Sequence, residues 1–257
     1  MTVNPSFQRL AMLAGTEALE KLGRTSVLVF GTGGVGSWCA EALVRSGIGK
    51  IGIVDFDTVC VSNINRQLQA TSLTIGREKV EVLKSRLLEI NPLCEVRAWA
   101  KAFTPETAGE FGIAETDYVI DAIDNLTNKL DLIETSHAAG VGLFSSMGMA
   151  RKMDPTRIRT ADIWKTQGCP LARIVRHGLR RRGFRGNFTV VYGDECLDNI
   201  PIDLGTPIDS SSPIDSPPAN GIQHAGKPPN GSAVTVTATA GMILASLVVR
   251  DAGAGNG

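Results

Sequence analysis

A glycine-rich turn near the N-terminus constrains the fold of this chain more than any other feature. Residues 26–30 form a short apolar run with β-branched side chains, and Gly31-x-Gly33-x-x-Gly36 follows at once. Apolar side chains at helical spacing then continue over residues 36–46. A strand that enters a helix through such a turn presents free N–H groups and the helix dipole to an anion. The turn therefore predicts a phosphate site, with a merely structural glycine turn as the alternative.

The chain continues with alternating strand and helix patterns. Short apolar runs predict strands over residues 50–54, 94–100, 118–122 and 142–146. Helical spacing predicts helices over residues 16–22, 78–90 and 129–139. This alternation predicts an α/β fold with a doubly wound, Rossmann-like and mainly parallel sheet, joined by right-handed crossovers.

The alternation weakens after about residue 150. The second half predicts strands over 157–161 and 188–192, a basic helix over 171–182 and an apolar helix over 233–249. Residues 200–231 are rich in Pro, Ser, Asp and Gly, which predicts a mobile loop. We therefore expect a phosphate-binding domain over residues 1–150 and a C-terminal extension of strands and helices over residues 151–257.

Charge and cysteine content exclude some classes of partner and site. Lys and Arg together number 26, as do Asp and Glu, so the formal net charge is zero. The electrostatic field of the whole molecule therefore indicates no class of partner by itself. The five cysteines are widely spaced and form no C-x-x-C pair, so no structural zinc site is expected. A set of reduced thiols in the cytoplasm is the favoured interpretation.

The apolar stretches bear on localisation. Residues 1–9 lack the apolar core of a secretory signal, which favours a cytoplasmic protein. Residues 233–249 contain threonines and a serine and are short for a membrane span, which predicts a buried helix. Peripheral association with the inner membrane is the alternative.

The second strand ends at Asp55, at the spacing that a ribose-hydroxyl acceptor needs. Two enzyme classes share this frame: oxidoreductases that use nicotinamide or flavin, and enzymes that use ATP. Adenylylation of a carboxylate needs cations against the triphosphate and a carboxylate for Mg²⁺, whereas hydride transfer needs neither. The chain has Arg66, Lys79 and Asp124 after the turn, and these residues favour ATP and Mg²⁺.

Several motifs in fixed order carry a family resemblance. They are GxGGxGS from Gly31, GIGxIxxxDxDxVxxSNxNRQ from Gly47, GxxK ending at Lys79, INP from Ile90 and DAIDN from Asp121. Over about residues 7–150, this pattern resembles the ubiquitin-activating-enzyme superfamily of ThiF-like adenylyltransferases. The resemblance implies that residues 1–150 are an ATP-binding adenylylation domain.

The resemblance also implies roles for individual residues. The phosphate-binding glycines are Gly31, Gly33, Gly34 and Gly36. The ribose contact is Asp55, the triphosphate contacts are Asn63, Arg66 and Lys79, and the Mg²⁺ ligand is Asp124. Asp57 and Gln67 are assigned to the same nucleotide site, with a connector cap and a buried structural amide as their respective alternatives. Arg9 matches the arginine that homodimers of this family lend to the partner's site, and a solvated surface residue is its alternative.

The second half resembles one branch of that family, the tRNA threonylcarbamoyladenosine dehydratases. The matching stretches are residues 148–156, 162–166, 190–192 and 231–239. This resemblance implies a ligase-type enzyme that activates the threonyl carboxylate of a modified adenosine in tRNA as an acyl adenylate, so that a neighbouring nitrogen closes a ring. The chain departs from the branch at Gly193-Asp194-Glu195, where Ser-x-Glu is usual, and this departure lies on the substrate side and not in the ATP site.

A basic cluster lies in the second half of this neutral chain. It consists of Arg173, Arg176, Arg180, Arg181, Arg182 and Arg185. Phosphate contacts by such a cluster would bind tRNA with an affinity that falls as salt rises. A solvated helix face with acidic neighbours is the alternative.

The sequence leaves two alternative functions open. An activator of a ubiquitin-like or sulfur-carrier protein would use a cysteine nucleophile, Cys169 or Cys196, although an ordinary thiol is the favoured interpretation of both. The family also implies cysteine-desulfurase or sulfur-acceptor partners. A non-catalytic nucleotide-binding scaffold ranks last, because it would not need Arg66, Lys79 and Asp124 together.

Overall fold

The computed structural model describes residues 4–200 and 230–254. In that part of the chain, seven strands form one sheet in the order β3-β2-β1-β4-β5-β7-β6, and all neighbours are parallel except β6 and β7. The strands are β1 (Ser26–Phe30), β2 (Lys50–Val54), β3 (Glu95–Trp99), β4 (Tyr118–Asp121), β5 (Gly142–Ser146), β6 (Ile158–Asp162) and β7 (Thr189–Gly193). The predicted doubly wound, mainly parallel α/β fold is therefore confirmed.

The described residues form seven α-helices. They are α1 (Gln8–Ala14), α2 (Thr16–Arg24), α3 (Gly36–Arg45), α4 (Lys79–Ile90), α5 (Leu126–Ala138), α6 (Pro170–Arg181) and α7 (Val234–Ala254). Successive side chains of β1 enter different cores: Val27 and Val29 pack with α3, α4 and α7, whereas Leu28 and Phe30 pack with α5 and α6. This burial of both faces explains why the strands are continuous apolar runs.

The later strands extend the same sheet. β7 pairs in parallel with β5, and β6 pairs antiparallel with β7 at the edge. The predicted elements at 157–161, 171–182 and 188–192 correspond to β6, α6 and β7. The domain boundary at residue 150 stays a prediction. Apart from its ends, the loop predicted over residues 200–231 lies outside the described residues.

The predicted apolar helix over 233–249 is α7, which extends to Ala254. Within the described ranges, only α7 is long and apolar enough to cross a membrane. One of its faces, however, lies in the core. At Gly241, an added Cβ would lie 2.5 Å from the Val35 carbonyl oxygen, so the missing side chain permits close packing on α3. The localisation stays a prediction.

Candidate nucleotide site

The glycine turn lies where the chain leaves β1, between the ends of β2 and β4. Gly31 has φ of 87°, a left-handed conformation that favours glycine. An added Cβ would lie 2.7 Å from the Ala122 carbonyl oxygen at Gly31, and 1.8 Å from the Gly31 carbonyl oxygen at Gly36. Steric contact thus requires both glycines, and it brings the start of α3 against the strand end. This is the switch point of the sheet, where open α/β sheets bind ligands.

Asp55 follows β2 directly and is bonded to the turn. Its Oδ2 accepts hydrogen bonds from the Thr32 N–H at 2.6 Å and the Thr32 hydroxyl at 3.0 Å. Its Oδ1 accepts from the Asp57 N–H at 3.0 Å. These bonds hold the carboxylate beside the glycine turn, where the resemblance expects a ribose contact.

Lys79 is the first residue of α4, and its side chain is only 5% exposed. Its Nζ lies 2.7 Å from Asp57 Oδ2, and its N–H donates to the Asp57 carbonyl at 3.0 Å. A buried ammonium costs free energy unless it is paired, and Asp57 provides that pairing. Asp57 thus binds the start of α4 through its backbone carbonyl and pairs with the Lys79 ammonium through its carboxylate.

Arg66 reaches the turn from the connector between β2 and α4. An added Cβ at Gly34 would lie 3.3 Å from Arg66 Cγ, so the arginine stem lies against the turn backbone. Its guanidinium donates to the Ser62 carbonyl at 2.8 Å and to Asn65 Oδ1 at 2.9 Å. The Trp38 indole N–H donates to the Arg66 carbonyl at 3.0 Å and ties the connector to α3.

Asn63 and Gln67 are buried in the same connector. Asn63 Oδ1 accepts from the Cys60 N–H at 3.2 Å, so this side chain stabilises the connector itself. Gln67 Nε2 would lie 3.9 Å from a Cβ on Gly33, but the buried Gln67 Oε1 lacks a hydrogen-bond partner among the described residues. Gln69, which the sequence did not single out, donates to the Thr32 carbonyl at 2.8 Å.

These contacts fit a bound nucleotide. Among the described residues, a Cβ added at Gly33 would have only Gln67 Nε2, at 3.9 Å, within 4 Å, which leaves room for a phosphate near the backbone. The stem of Arg66 lies against the turn, Lys79 is held by Asp57 two residues after Asp55, and Gln67 offers an unsatisfied buried amide oxygen. A triphosphate would be met by N–H groups and positive charge at the N-terminus of α3.

The DAIDN motif supplies two aspartates in different environments. Asp124 is exposed just after β4, before Asn125 caps α5 by accepting from the Asn128 N–H at 3.1 Å. Asp121 is fully buried, and its Oδ2 accepts from Lys129 Nζ at 2.6 Å.

The partners of Asp121 form a buried polar network that the sequence interpretation missed. Ser145 Oγ donates to Asp121 Oδ2 at 2.6 Å, and Lys129 Nζ also donates to the Ser146 carbonyl at 3.0 Å. The Asp121 Oδ1 atom accepts from the Ile123 N–H at 3.1 Å. The network therefore fixes the loop that presents Asp124. One sequence signal could have predicted this network: a lysine on the inward-facing side of a helix, eight residues after an aspartate.

Arg9 lies on α1, away from the glycine turn in sequence and exposed to solvent. The same short helix exposes Met12 and Leu13, whose exposed fractions are 83% and 86%. The described residues thus show α1 as a surface helix with two apolar side chains beside an arginine.

The arginine cluster of α6 divides into two groups. Arg176 donates to the Thr166 carbonyl at 3.0 Å, the Arg180 guanidinium lies 5.3 Å from the Trp164 ring centroid, and Arg182 pairs with Asp131 and Glu134 at 2.5 and 2.7 Å. These three arginines have internal partners. Arg180 and Arg182 are nevertheless exposed, as are the remaining members, Arg173, Arg181 and Arg185.

Comparison with known proteins places the chain in a family. The ThiF family model matches residues 7–250. A tRNA threonylcarbamoyladenosine dehydratase of Bacillus subtilis is 41% identical over 95% of this chain and 93% of its own length. The structure is similar to Escherichia coli tRNA N6-threonylcarbamoyladenosine dehydratase in complex with ATP, with a TM-score of 0.83 and 32% identity over 99% of this chain and 98% of that one. This chain belongs to the ThiF family.

Proposed function

We propose that this chain is an ATP-dependent, ligase-type enzyme that dehydrates threonylcarbamoyladenosine in tRNA. One observation carries the proposal: the stem of Arg66 lies against the glycine turn, and Lys79 pairs with Asp57, whose N–H is held by Asp55, the same carboxylate that accepts from Thr32 of the turn. Hydride transfer has no use for such cations, whereas transfer of an adenylyl group does. The similarity to dehydratases over almost the whole chain supports the choice of substrate.

The reaction would proceed in two steps. A carboxylate oxygen of the threonyl group attacks the α-phosphorus of ATP, the bond to the bridging oxygen breaks, and pyrophosphate leaves. A neighbouring nitrogen then attacks the acyl carbon, AMP leaves with the bonding electrons, and the nitrogen loses its proton. The sum is loss of one water from the nucleoside, which the conversion of ATP to AMP and pyrophosphate takes up.

Residues of the site have distinct tasks in this scheme. Lys79 and Arg66 would offset the charge on the triphosphate as it develops at the α-phosphorus. Asp55 would orient the ribose. Asp124, which is exposed just after β4, would hold Mg²⁺, and this ion would supply positive charge against the phosphates.

We further propose a homodimer in which Arg9 acts on the partner's site. Exposed apolar residues on α1, Met12 and Leu13, support an additional protein contact there. Mixing Arg9→Ala with Lys79→Met protein tests this proposal, because a mixed dimer regains one intact site only if Arg9 acts in trans. AMP formation should recover after subunit exchange, and a mixture that stays inactive would contradict the arrangement.

A tRNA contact through α6 is the remaining part of the proposal. Arg173, Arg181 and Arg185 are exposed and form no ion pair or ring contact within the described residues, so these members of the cluster are free to contact phosphates. Arg176, Arg180 and Arg182 would instead shape the helix that presents them.

Activation of a ubiquitin-like or sulfur-carrier protein is the alternative, with a cysteine desulfurase or sulfur acceptor as partner. Cys169 is only 4% exposed at the start of α6, and Cys196 is exposed. A Cys169→Ala, Cys196→Ala variant separates the two functions. The dehydratase should keep its activity, whereas a folded but inactive variant would favour the alternative.

The decisive experiment supplies ATP, Mg²⁺ and threonylcarbamoylated tRNA to the full chain. Chromatography should detect AMP, and mass spectrometry of the digested tRNA should detect a nucleoside lighter by one water. Unmodified tRNA is the matched control. Absence of AMP with every tRNA would refute the proposal.

A further inference from the structure

Arg151 has an unusual backbone conformation after β5. Its φ is 61°, and it is the only non-glycine residue with positive φ in the part of the chain that the structure describes. A long side chain in this region is strained, so surrounding contacts must hold it there. Such outliers cluster at functional sites, which makes the contacts of Arg151 informative.

The backbone of Arg151 joins two stretches that are far apart in sequence. Its N–H donates to the Gly231 carbonyl at 2.8 Å, and its carbonyl accepts from the Leu197 N–H at 2.9 Å. The Gly231 N–H in turn donates to Asn199 Oδ1 at 3.1 Å. The left-handed conformation therefore allows one residue to hold both stretches together.

The side chain of Arg151 strengthens the same junction. Nε donates to the Leu197 carbonyl at 2.5 Å, and a terminal nitrogen lies 2.7 Å from Asp198 Oδ1. A planar guanidinium can make two such bonds in fixed directions, which a lysine ammonium cannot reproduce with the same geometry.

A short series of contacts links this junction to the nucleotide site. The residue after Gly231 is Ser232, whose carbonyl accepts from Asn65 Nδ2 at 2.9 Å. Asn65 Oδ1 accepts from the Arg66 guanidinium at 2.9 Å. One amide side chain thus contacts both the backbone held by Arg151 and the cation that flanks the glycine turn.

We propose that Arg151 is a positioning residue that orients Arg66 through Ser232 and Asn65. The Arg151 guanidinium holds Leu197 and Asp198, and the adjacent Asn199 side chain accepts from the Gly231 N–H. The Ser232 carbonyl then fixes the Asn65 amide, and this amide fixes the Arg66 guanidinium. The proposal rests on the proposed function for its kinetic test, and a measurement of local backbone protection tests it independently of activity.

The variants separate positioning from simple folding. Arg151→Gly keeps the left-handed backbone without strain and removes only the guanidinium bonds. It should lower kcat about tenfold with KM for ATP unchanged within about twofold, and Arg151→Lys should recover part of the loss. Asn65→Ala should cause a similar loss. Arg97→Gln, an exposed change on β3 that breaks only the ion pair with Glu95, is the control.

The double variant is the sharpest test, because substitutions within one series of contacts have non-additive effects on activity. Asn65→Ala combined with Arg151→Gly should lose little more activity than either single variant. Losses that multiply, or an unchanged kcat in Arg151→Gly, would overturn the positioning role.

Hydrogen–deuterium exchange of the free protein gives the independent readout. Peptides over residues 195–199 and 230–233 should exchange faster in Arg151→Gly than in the wild type, with unchanged exchange over α3. Unchanged exchange at the junction would overturn the proposal. If the wild type forms no AMP with tRNA, the proposed function fails while this measurement still decides the role of Arg151 at the junction.

Discussion

Lys79 Nζ lies 2.7 Å from Asp57 Oδ2 where α4 begins, and the two side chains differ in burial: 5% of Lys79 and 38% of Asp57 are exposed. The ammonium is therefore held at a defined place by a carboxylate that keeps contact with solvent. Asp57 already offsets the free energy of burying the Lys79 ammonium, so an anion bound at the glycine turn could interact with this charge without a further burial cost.

Replacing Lys79 by methionine should lower AMP formation by about 100-fold or more, because a positioned charge at the developing transition state is lost. Stability should change little, since Met fills the buried position and Asp57 is already partly solvated. Rates with saturating ATP and the melting temperature measure the two effects. Lys84→Met, on the same helix, is the control, and equal activity losses in both variants would contradict a specific role.

Asp124→Asn should abolish AMP formation and leave the melting temperature near that of the wild type. The carboxylate is exposed, so its loss costs little stability, whereas the proposed Mg²⁺ site needs its charge. Turnover across a range of Mg²⁺ concentrations checks this expectation. Activity that persists at low Mg²⁺ would remove Asp124 from the metal site.

Asp121→Asn, three residues earlier, should instead unfold the protein more easily. It leaves the Lys129 ammonium buried without its counter-charge, which costs about 3–5 kcal/mol when one partner of a buried pair is removed. Urea denaturation followed by circular dichroism measures this loss. A free energy of unfolding equal to that of Asp124→Asn would show that the network contributes little.

Replacing Arg181 and Arg185 together by alanine should weaken tRNA binding and reduce its dependence on salt. For two phosphate contacts, the slope of log affinity against log salt should fall by about 1.5–2. Filter binding at several salt concentrations provides the slopes. Arg182→Ala is the matched control, because Arg182 pairs with Asp131 and Glu134, so this variant should keep the wild-type slope.

Glu41→Gln should flatten the pH dependence of stability in acid. Burial of Glu41 opposes ionisation, but the guanidiniums of Arg86 and Arg45 outweigh it and hold the pKa of the carboxyl below its ordinary value. The lower pKa in the folded state means that Glu41 stabilises the fold fully above about pH 4.3 and progressively less as the pH falls through the folded pKa.

Melting temperatures of wild type and Glu41→Gln between pH 7 and pH 3 test this linkage. The difference between the two proteins should be largest near neutral pH and shrink in acid. A difference that stays constant over the whole range would mean that the ion pairs of Glu41 do not titrate with it.

Local sequence patterns predicted most individual elements of this fold. β1, β2 and β5 have the predicted bounds, because a strand buried on both faces is a continuous apolar run that ends at a turn. Helix bounds differ from the predicted ones where a capping side chain determines the first residue. The helix α5 starts at Leu126 instead of residue 129, because the Asn125 side chain caps it.

The sequence predicted those parts of the candidate site where one motif requires both a particular backbone conformation and a charged side chain. The structure places Asp55 against Thr32 and Arg66 against Gly34, and it pairs Lys79 with Asp57, whose N–H donates to Asp55. The network around Lys129 and the junction at Arg151 were not predictable, because their partners are distant in sequence and no local period relates them.

By itself, the sequence determined the alternation of strands and helices, the glycine turn, the chemistry of its neighbours and the family resemblance. These depend on steric rules, periodicity and residue type within short windows. Tertiary contacts alone establish that β7 and β6 extend the same sheet, that Asp57 pairs with Lys79, and which arginines of the basic cluster have side-chain partners. Long-range packing and pairing determine these features, because each side chain finds its partner only after the helices and strands have come together.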